Sequence, residues 1–215
     1  MSFTINNLLF ILGTDFGEVL AKYGTWAYAI MFIIVFFEAG VVLTPFLPGD
    51  SMIFAAATLS VRSDSDLNVH LIVLFLTVAG FAGYVLNYNV GSYIGPRVYK
   101  RNYKVISRKR LNQTKDYFEK HGVRTIIYGR FIPIIRTFAP FVAGVSEMNY
   151  RRFMVFNFLG CLAWVAIYAY SGYFLGNIPF VKNHFEMTVL VVLVATLLPP
   201  IYAIIKQSRS RKTAS

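Results

Sequence analysis

The sequence predicts an all-α polytopic membrane protein. It reads as an inverted repeat of two re-entrant hairpins, each followed by a transmembrane helix, with an N-terminal interfacial helix and a C-terminal transmembrane helix. The expectation rests on composition, charge placement and a pair of broken apolar segments. Of 215 residues, 56% are hydrophobic and only 14% charged, where a soluble domain carries roughly 25% charged residues. The basic residues collect in three clusters of the kind that mark cytoplasmic segments. Two apolar segments are each interrupted by prolines and each carry two charges. Paired interruptions of this sort point to a transport site. A single membrane domain, 1–215, accounts for the chain.

Residues 1–22 place Phe3, Ile5, Leu8, Leu9, Leu12, Phe16, Val19 and Leu20 at roughly helical spacing, with Asp15, Glu18 and Lys22 among them. Such a segment is too interrupted to cross alone and reads as an interfacial amphipathic helix. It lacks a basic region and a small-residue cleavage site, so no signal peptide is expected.

Residues 25–60 form the first hairpin. Trp26 to Leu43 is apolar apart from Glu38, and apolar residues resume from Met52 to Leu59. Between them Pro45, Pro48 and Gly49 break the helix just before Asp50, because proline removes an N–H and glycine frees the backbone. The span at 70–95 contains Gly80, Gly83, Gly91 and Gly95, small residues that let another helix approach, and Asn87 and Asn89 add polarity toward one end.

The loop at 97–122 carries Arg97, Lys100, Arg101, Lys104, Arg108, Lys109, Arg110 and Lys115. A short amphipathic helix is expected near Leu111–Lys120. The second hairpin, 123–146, contains Arg130 and Arg136. Pro133 and Pro140 are expected to interrupt its helix, and Gly144 to allow a further turn. A span at 153–176 follows Arg151 and Arg152 and carries Asn157, Gly160, Trp164, Gly172 and Gly176. A last span covers 187–205, and 206–215 is a basic tail.

Charge sets the orientation. The basic flanks put both ends of the arginine hairpin in the cytoplasm, along with the C-terminus. The acidic hairpin then opens to the other side, giving the inverted repeat. The basic loop either marks topology or also contacts anionic membrane lipids.

Glu38 and Asp50 are the candidate proton-coupling residues. Hydrocarbon penalises the charged form of a carboxylate, so such a group can load and release a proton. The same acids would also serve as ion-pair partners of the arginines, and Asp50 would also cap a following half-helix. Arg130 and Arg136 are the candidate phosphate-binding residues. On an unbroken helix, six residues at about 100° each would set them about 120° apart. Pro133 between them breaks that geometry, so both can converge on one polar cavity. Two bidentate guanidinium groups suit a phosphate, and snorkelling to the interface is the plainer alternative.

Other chemistry is poorly represented. No pair among His70, His121 and His184 has metal-ligand spacing, so no metal is expected. Cys161 has no partner for an intramolecular disulfide and reads as packing. No P-loop, dinucleotide fingerprint or Ser-His-Asp pattern appears. The basic residues adjoin spans and form no nucleic-acid module. A lipid pyrophosphatase would need a nucleophile near the arginines, commonly histidine, and the hairpin has no histidine. The chain is therefore expected not to be an enzyme.

Three patches resemble the DedA family of bacterial inner-membrane proteins, which is related to eukaryotic VTT-domain lipid scramblases. The first is Phe37-Glu38 with Pro45 and Pro48-Gly49-Asp50. The second is Gly83, Tyr88, Gly91 and Gly95. The third is Gly129-Arg130-Phe131, Pro133, Arg136, Pro140, Ala143-Gly144 and Met148, continuing to Asn157, Gly160 and Trp164. The match covers about residues 25–176. Many members have an acid where Tyr84 stands here and an arginine where Ser92 stands, so roles of those two positions do not transfer. The resemblance implies two opposed re-entrant hairpins in a multi-pass protein of the bacterial cytoplasmic membrane. It implies translocation of a polyprenyl phosphate lipid, undecaprenyl phosphate, dependent on the proton motive force, with protons as coupling ion and no cofactor. By position it makes Glu38, Asp50, Arg130 and Arg136 the essential residues. A proton-coupled antiporter of ions or small solutes is the alternative the same acids would serve. Self-association into a homo-oligomer is compatible with either reading.

Overall fold

The structure, a computed structural model, describes residues 25–40, 49–63, 65–101, 124–179, 181 and 188. The expected interfacial helix at 1–22, Pro45 and Pro48, the basic loop beyond Arg101, the last span at 187–205 and the basic tail lie outside the described residues, apart from the single position 188. Six α-helices and one 3-10 turn are described, and no strand occurs among the described residues. They are α1 (Trp26–Gly40), α2 (Gly49–Leu59), α3 (Val69–Arg101), α4 (Arg124–Tyr128), the 3-10 turn Gly129–Phe131, α5 (Pro133–Val145) and α6 (Tyr150–Gly176).

Among the described residues two segments are long and apolar enough to cross a membrane: Val69–Ile94 of α3, with 26 residues, and α6, with 27. A rise of about 1.5 Å per residue carries either past the roughly 30 Å of hydrocarbon. Among the described residues the helices of the two broken segments are shorter: α1 has 15 residues, α2 has 11 and α5 has 13. Each long helix begins on an asparagine cap. Asn68 Oδ1 accepts from the His70 and Leu71 N–H groups at 2.8 and 3.4 Å, and Asn149 Oδ1 accepts from the Arg152 N–H at 3.2 Å. These bonds satisfy donors that a helix start otherwise leaves orphaned.

The described residues fall into two packing units. One comprises those within Met1–Met31, Pro48–Phe75 and Val165–Ser215; the other comprises those within Phe32–Leu47 and Leu76–Trp164. In the first unit α2 is buried along nearly its whole length, from Ser51 to Leu59. It lies directly on the C-terminal part of α6. A Cβ at Gly172 would stand 2.4 Å from the Phe54 carbonyl oxygen. The Thr58 hydroxyl bridges the two helices, 2.9 Å from the Phe54 oxygen and 3.1 Å from the Gly172 oxygen. Tyr28 joins this unit by accepting the Asn68 N–H at 2.7 Å.

In the second unit α5 packs backbone to backbone on α3. A Cβ at Gly144 would stand 2.1 Å from the Tyr88 oxygen, and one at Gly91 would stand 2.1 Å from the Phe141 oxygen. Tyr88, Tyr84, Ile126, Ala139, Ala143 and Phe153 form the core around this contact. The Tyr88 ring stacks on Phe153 with centroids 4.4 Å apart, and its hydroxyl donates to the Met148 carbonyl.

Helix α3 contains the expected span and runs on past Pro96 to Arg101, where the described residues pause. Two expectations need correction. Pro133 does start a helix, following extended Ile132, but Pro140 lies inside α5 without ending it. Tight packing of α5 on α3 outweighs the roughly 3 kcal/mol that an interior proline costs. Gly144 makes no turn; its role is the close contact with Tyr88. The reversal occurs at Glu147, whose φ of 53° is left-handed. There the Met148 N–H reaches the Ala143 oxygen at 3.0 Å, the bond of a Schellman helix end.

Candidate functional site

Arg130, Arg136 and Glu38 belong to the second unit. Arg130 sits on the 3-10 turn, because the α4 helix tightens just before Pro133 forces Ile132 into extended backbone. Arg136 lies in the first turns of α5. Glu38 lies in the last turns of α1. All three are buried.

Arg136 Nη2 forms an ion pair with Glu38 Oε1. The guanidinium also lies over the Trp164 ring, 4.6 Å from its centroid. Burying two such ions costs several kcal/mol each, which is repaid only by good mutual geometry. Asn87 supplies part of that geometry. Fully buried on α3, it donates from Nδ2 to the Ala39 oxygen at 3.4 Å and the Thr137 oxygen at 3.1 Å. Those carbonyls adjoin Glu38 and Arg136 in sequence, so one side chain ties α1 and α5 at the residues flanking the ion pair. Glu38 Oε2 has no hydrogen-bond partner among the described residues.

Arg130 is different. It is 2% exposed, yet meets no carboxylate among the described residues. Its Nη2 donates to Asn157 Oδ1 and, at 3.4 Å, to the Gly80 oxygen. Its guanidinium carbon lies 3.6 Å from the centroid of the Tyr84 ring. A desolvated cation–π contact contributes about 2 kcal/mol, and a hydrogen bond to a charged group about 1.5–3 kcal/mol. Nε has no hydrogen-bond partner among the described residues. Arg130 and Trp164 both border Gly80, where an added Cβ would stand 3.5 Å from Arg130 Nη1 and 3.7 Å from Trp164 Cζ3. The two arginines thus share a neighbourhood lined by Gly80 and Trp164.

Asp50 belongs to the other unit, in the first turn of α2, where a carboxylate is favoured by the helix dipole. Gly49 begins α2 and is buried. Cys161 is buried and donates to the Thr77 oxygen at 3.3 Å, consistent with a packing role. Among the described residues no cluster of metal-binding side chains occurs. Asn87, Asn157 and Tyr84 were not singled out by the sequence as site residues. For the two asparagines the available signal was an amide in an apolar span, which must find a partner when buried.

A family model described as the VTT domain matches residues 47–174. Over 209 residues the chain is 43% identical to the Protein DedA of Escherichia coli, covering 96% of this chain and 95% of that protein. The chain belongs to the DedA family. Another relative, the Inner membrane protein YghB of Escherichia coli, is 34% identical over 188 residues, 84% of this chain and 85% of that protein. An uncharacterized membrane protein of Mycobacterium tuberculosis is 36% identical over 183 residues, 85% of this chain and 80% of that protein. No solved structure matches the chain. With its apolar helices and relatives named as membrane proteins, this DedA-family chain is a membrane protein. The VTT match takes in Asp50, Arg130 and Arg136, whereas Glu38 precedes it.

Proposed function

We propose that the protein translocates a lipid phosphate carrier, undecaprenyl phosphate, across the bacterial cytoplasmic membrane in a manner driven by the proton motive force. The observation that carries this reading is the pair of buried guanidinium groups in a membrane protein, one matched by Glu38 and the other held by neutral groups. Guanidinium groups bind phosphate bidentately, and buried intramembrane charges mark transport pathways.

In this reading the arginines hold the headgroup while the polyprenyl tail stays in lipid. Protonation of Glu38 removes the charge that competes for Arg136, freeing that guanidinium for phosphate. Asp50 is the second proton-coupling acid, by its position in the family pattern. The helices α1, α2 and α5 serve as arms of two re-entrant hairpins in an inverted repeat, and the 13 residues of α5, below a full span, support that arrangement. The C-terminal tail lies in the cytoplasm, as its basic residues favour. Protons are the coupling ion, with no cofactor and no covalent step.

The test is headgroup accessibility of undecaprenyl phosphate in proteoliposomes containing wild type, Arg130→Ala or Arg136→Ala. Loss of lipid movement in both variants is the expected result. Normal movement in correctly inserted variants contradicts the reading. Proton-coupled ion flux without lipid movement would replace it with an antiporter.

A further inference from the structure

The two arginines stand in different electrostatic states. At Arg136 a phosphate must compete with the Glu38 carboxylate already in place. At Arg130 there is no such competitor among the described residues. Its surroundings are an amide oxygen, a backbone carbonyl, a ring face and the buried Cys161 thiol. A guanidinium offers five N–H donors, and its Nε donor has no hydrogen-bond partner among the described residues. The amide at Asn157 is itself locked. Its Nδ2 donates to the Phe81 oxygen at 3.1 Å, which turns Oδ1 toward Arg130. Asn157 is fully buried, so its orientation is fixed by these two bonds and not by solvent.

We infer that Asn157 is a positioning residue for an anion site: it holds Arg130 in place without neutralising it, so that Arg130 is the first group to meet the phosphate of an incoming ligand. The inference rests on the proposed phosphate-binding role of the arginines. The chemistry recognised is a phosphate monoester, borne by a lipid headgroup or present as free phosphate. A neutral amide suits this task because it fixes the cation through one oxygen yet leaves its charge for the ligand. A carboxylate in the same place would fix Arg130 as well and cancel that charge.

The test uses binding isotherms of the purified full-length protein in detergent. The probes are undecaprenyl phosphate, inorganic phosphate and the phosphate-free alcohol undecaprenol. Asn157→Ala and Asn157→Asp both lose the bond to the Phe81 oxygen. Only Asp keeps an oxygen beside Arg130, and that oxygen brings a counter-charge. If Asn157 merely fills space, Asp, closer in shape, retains more binding than Ala. The positioning role requires the reverse, with Asp weakening phosphate-lipid binding at least about tenfold, about 1.4 kcal/mol, and Ala weakening it less. Wild-type affinity in Asn157→Asp, or Asp binding better than Ala, overturns the inference. If the Asp variant does not fold, Asn157→Ser decides beside Asn157→Ala. Recovery of affinity by the uncharged hydroxyl supports the inference, and its absence overturns it. The same variant order for inorganic phosphate assigns recognition to phosphate itself. The order seen for the phosphate lipid alone, with no undecaprenol binding, assigns it to the headgroup. Arg130→Ala with wild-type affinity would sink the proposed function as well, whereas failure confined to the Asn157 variants sinks only this inference.

Discussion

Removing the partner of a buried guanidinium leaves a charge with nothing to answer it, at a cost of about 3–5 kcal/mol. Glu38→Gln is therefore expected to lower the thermal midpoint of the purified protein by several degrees, and Arg136→Met to do likewise. The double change Glu38→Leu with Arg136→Met should cost less than the sum of its parts by more than about 1 kcal/mol, because the two charges leave together. Additive losses would mean that the ion pair contributes no coupling. The sequence exposed Glu38 and Arg136 as charges too costly for an apolar segment unless matched. It did not reveal which acid meets which arginine, since that depends on how α1 and α5 come together. Asn157 and Tyr84 stayed obscure for another reason: each is an ordinary span residue until the buried guanidinium is placed beside it.

Helices α3 and α6 could be read from their length and apolarity alone. The interior of the arginine hairpin could not. Pro133 and Pro140 look alike in sequence, but one starts α5 and the other lies within it. The difference is tertiary: α5 is held against α3 by the Gly144 and Gly91 contacts, and this packing overrides local preference. Pro140→Ala restores an N–H that can reach the Arg136 carbonyl one turn back. It is expected to leave the thermal midpoint unchanged or raise it, and a marked fall would restore Pro140 as a necessary break. Gly144→Ala is expected to act oppositely. Its Cβ would meet the Tyr88 carbonyl oxygen, a backbone atom that cannot rotate aside, so a loss of about 1–3 kcal/mol is expected from overpacking. An unchanged midpoint in that variant would mean that α3 and α5 separate easily. The turn after α5 was also hidden, because glutamate rarely adopts the left-handed conformation seen at Glu147.

The polytopic membrane character of the chain was visible in its 56% hydrophobic and 14% charged residues, and the family match accords with it. The division into two packing units was not visible, because α1, α3 and α6 each contribute residues to both. The proposed transport cycle needs Glu38 to answer the proton gradient and the arginines to hold phosphate. The direct measurement is undecaprenyl phosphate movement in proteoliposomes with and without an imposed pH gradient, comparing wild type with Glu38→Gln and Arg136→Ala. Gradient-stimulated movement in wild type, lost stimulation in Glu38→Gln and little movement in Arg136→Ala are the expected results. Equal stimulation of wild type and Glu38→Gln, or normal movement without Arg136, would contradict the coupling of protons to phosphate through this ion pair.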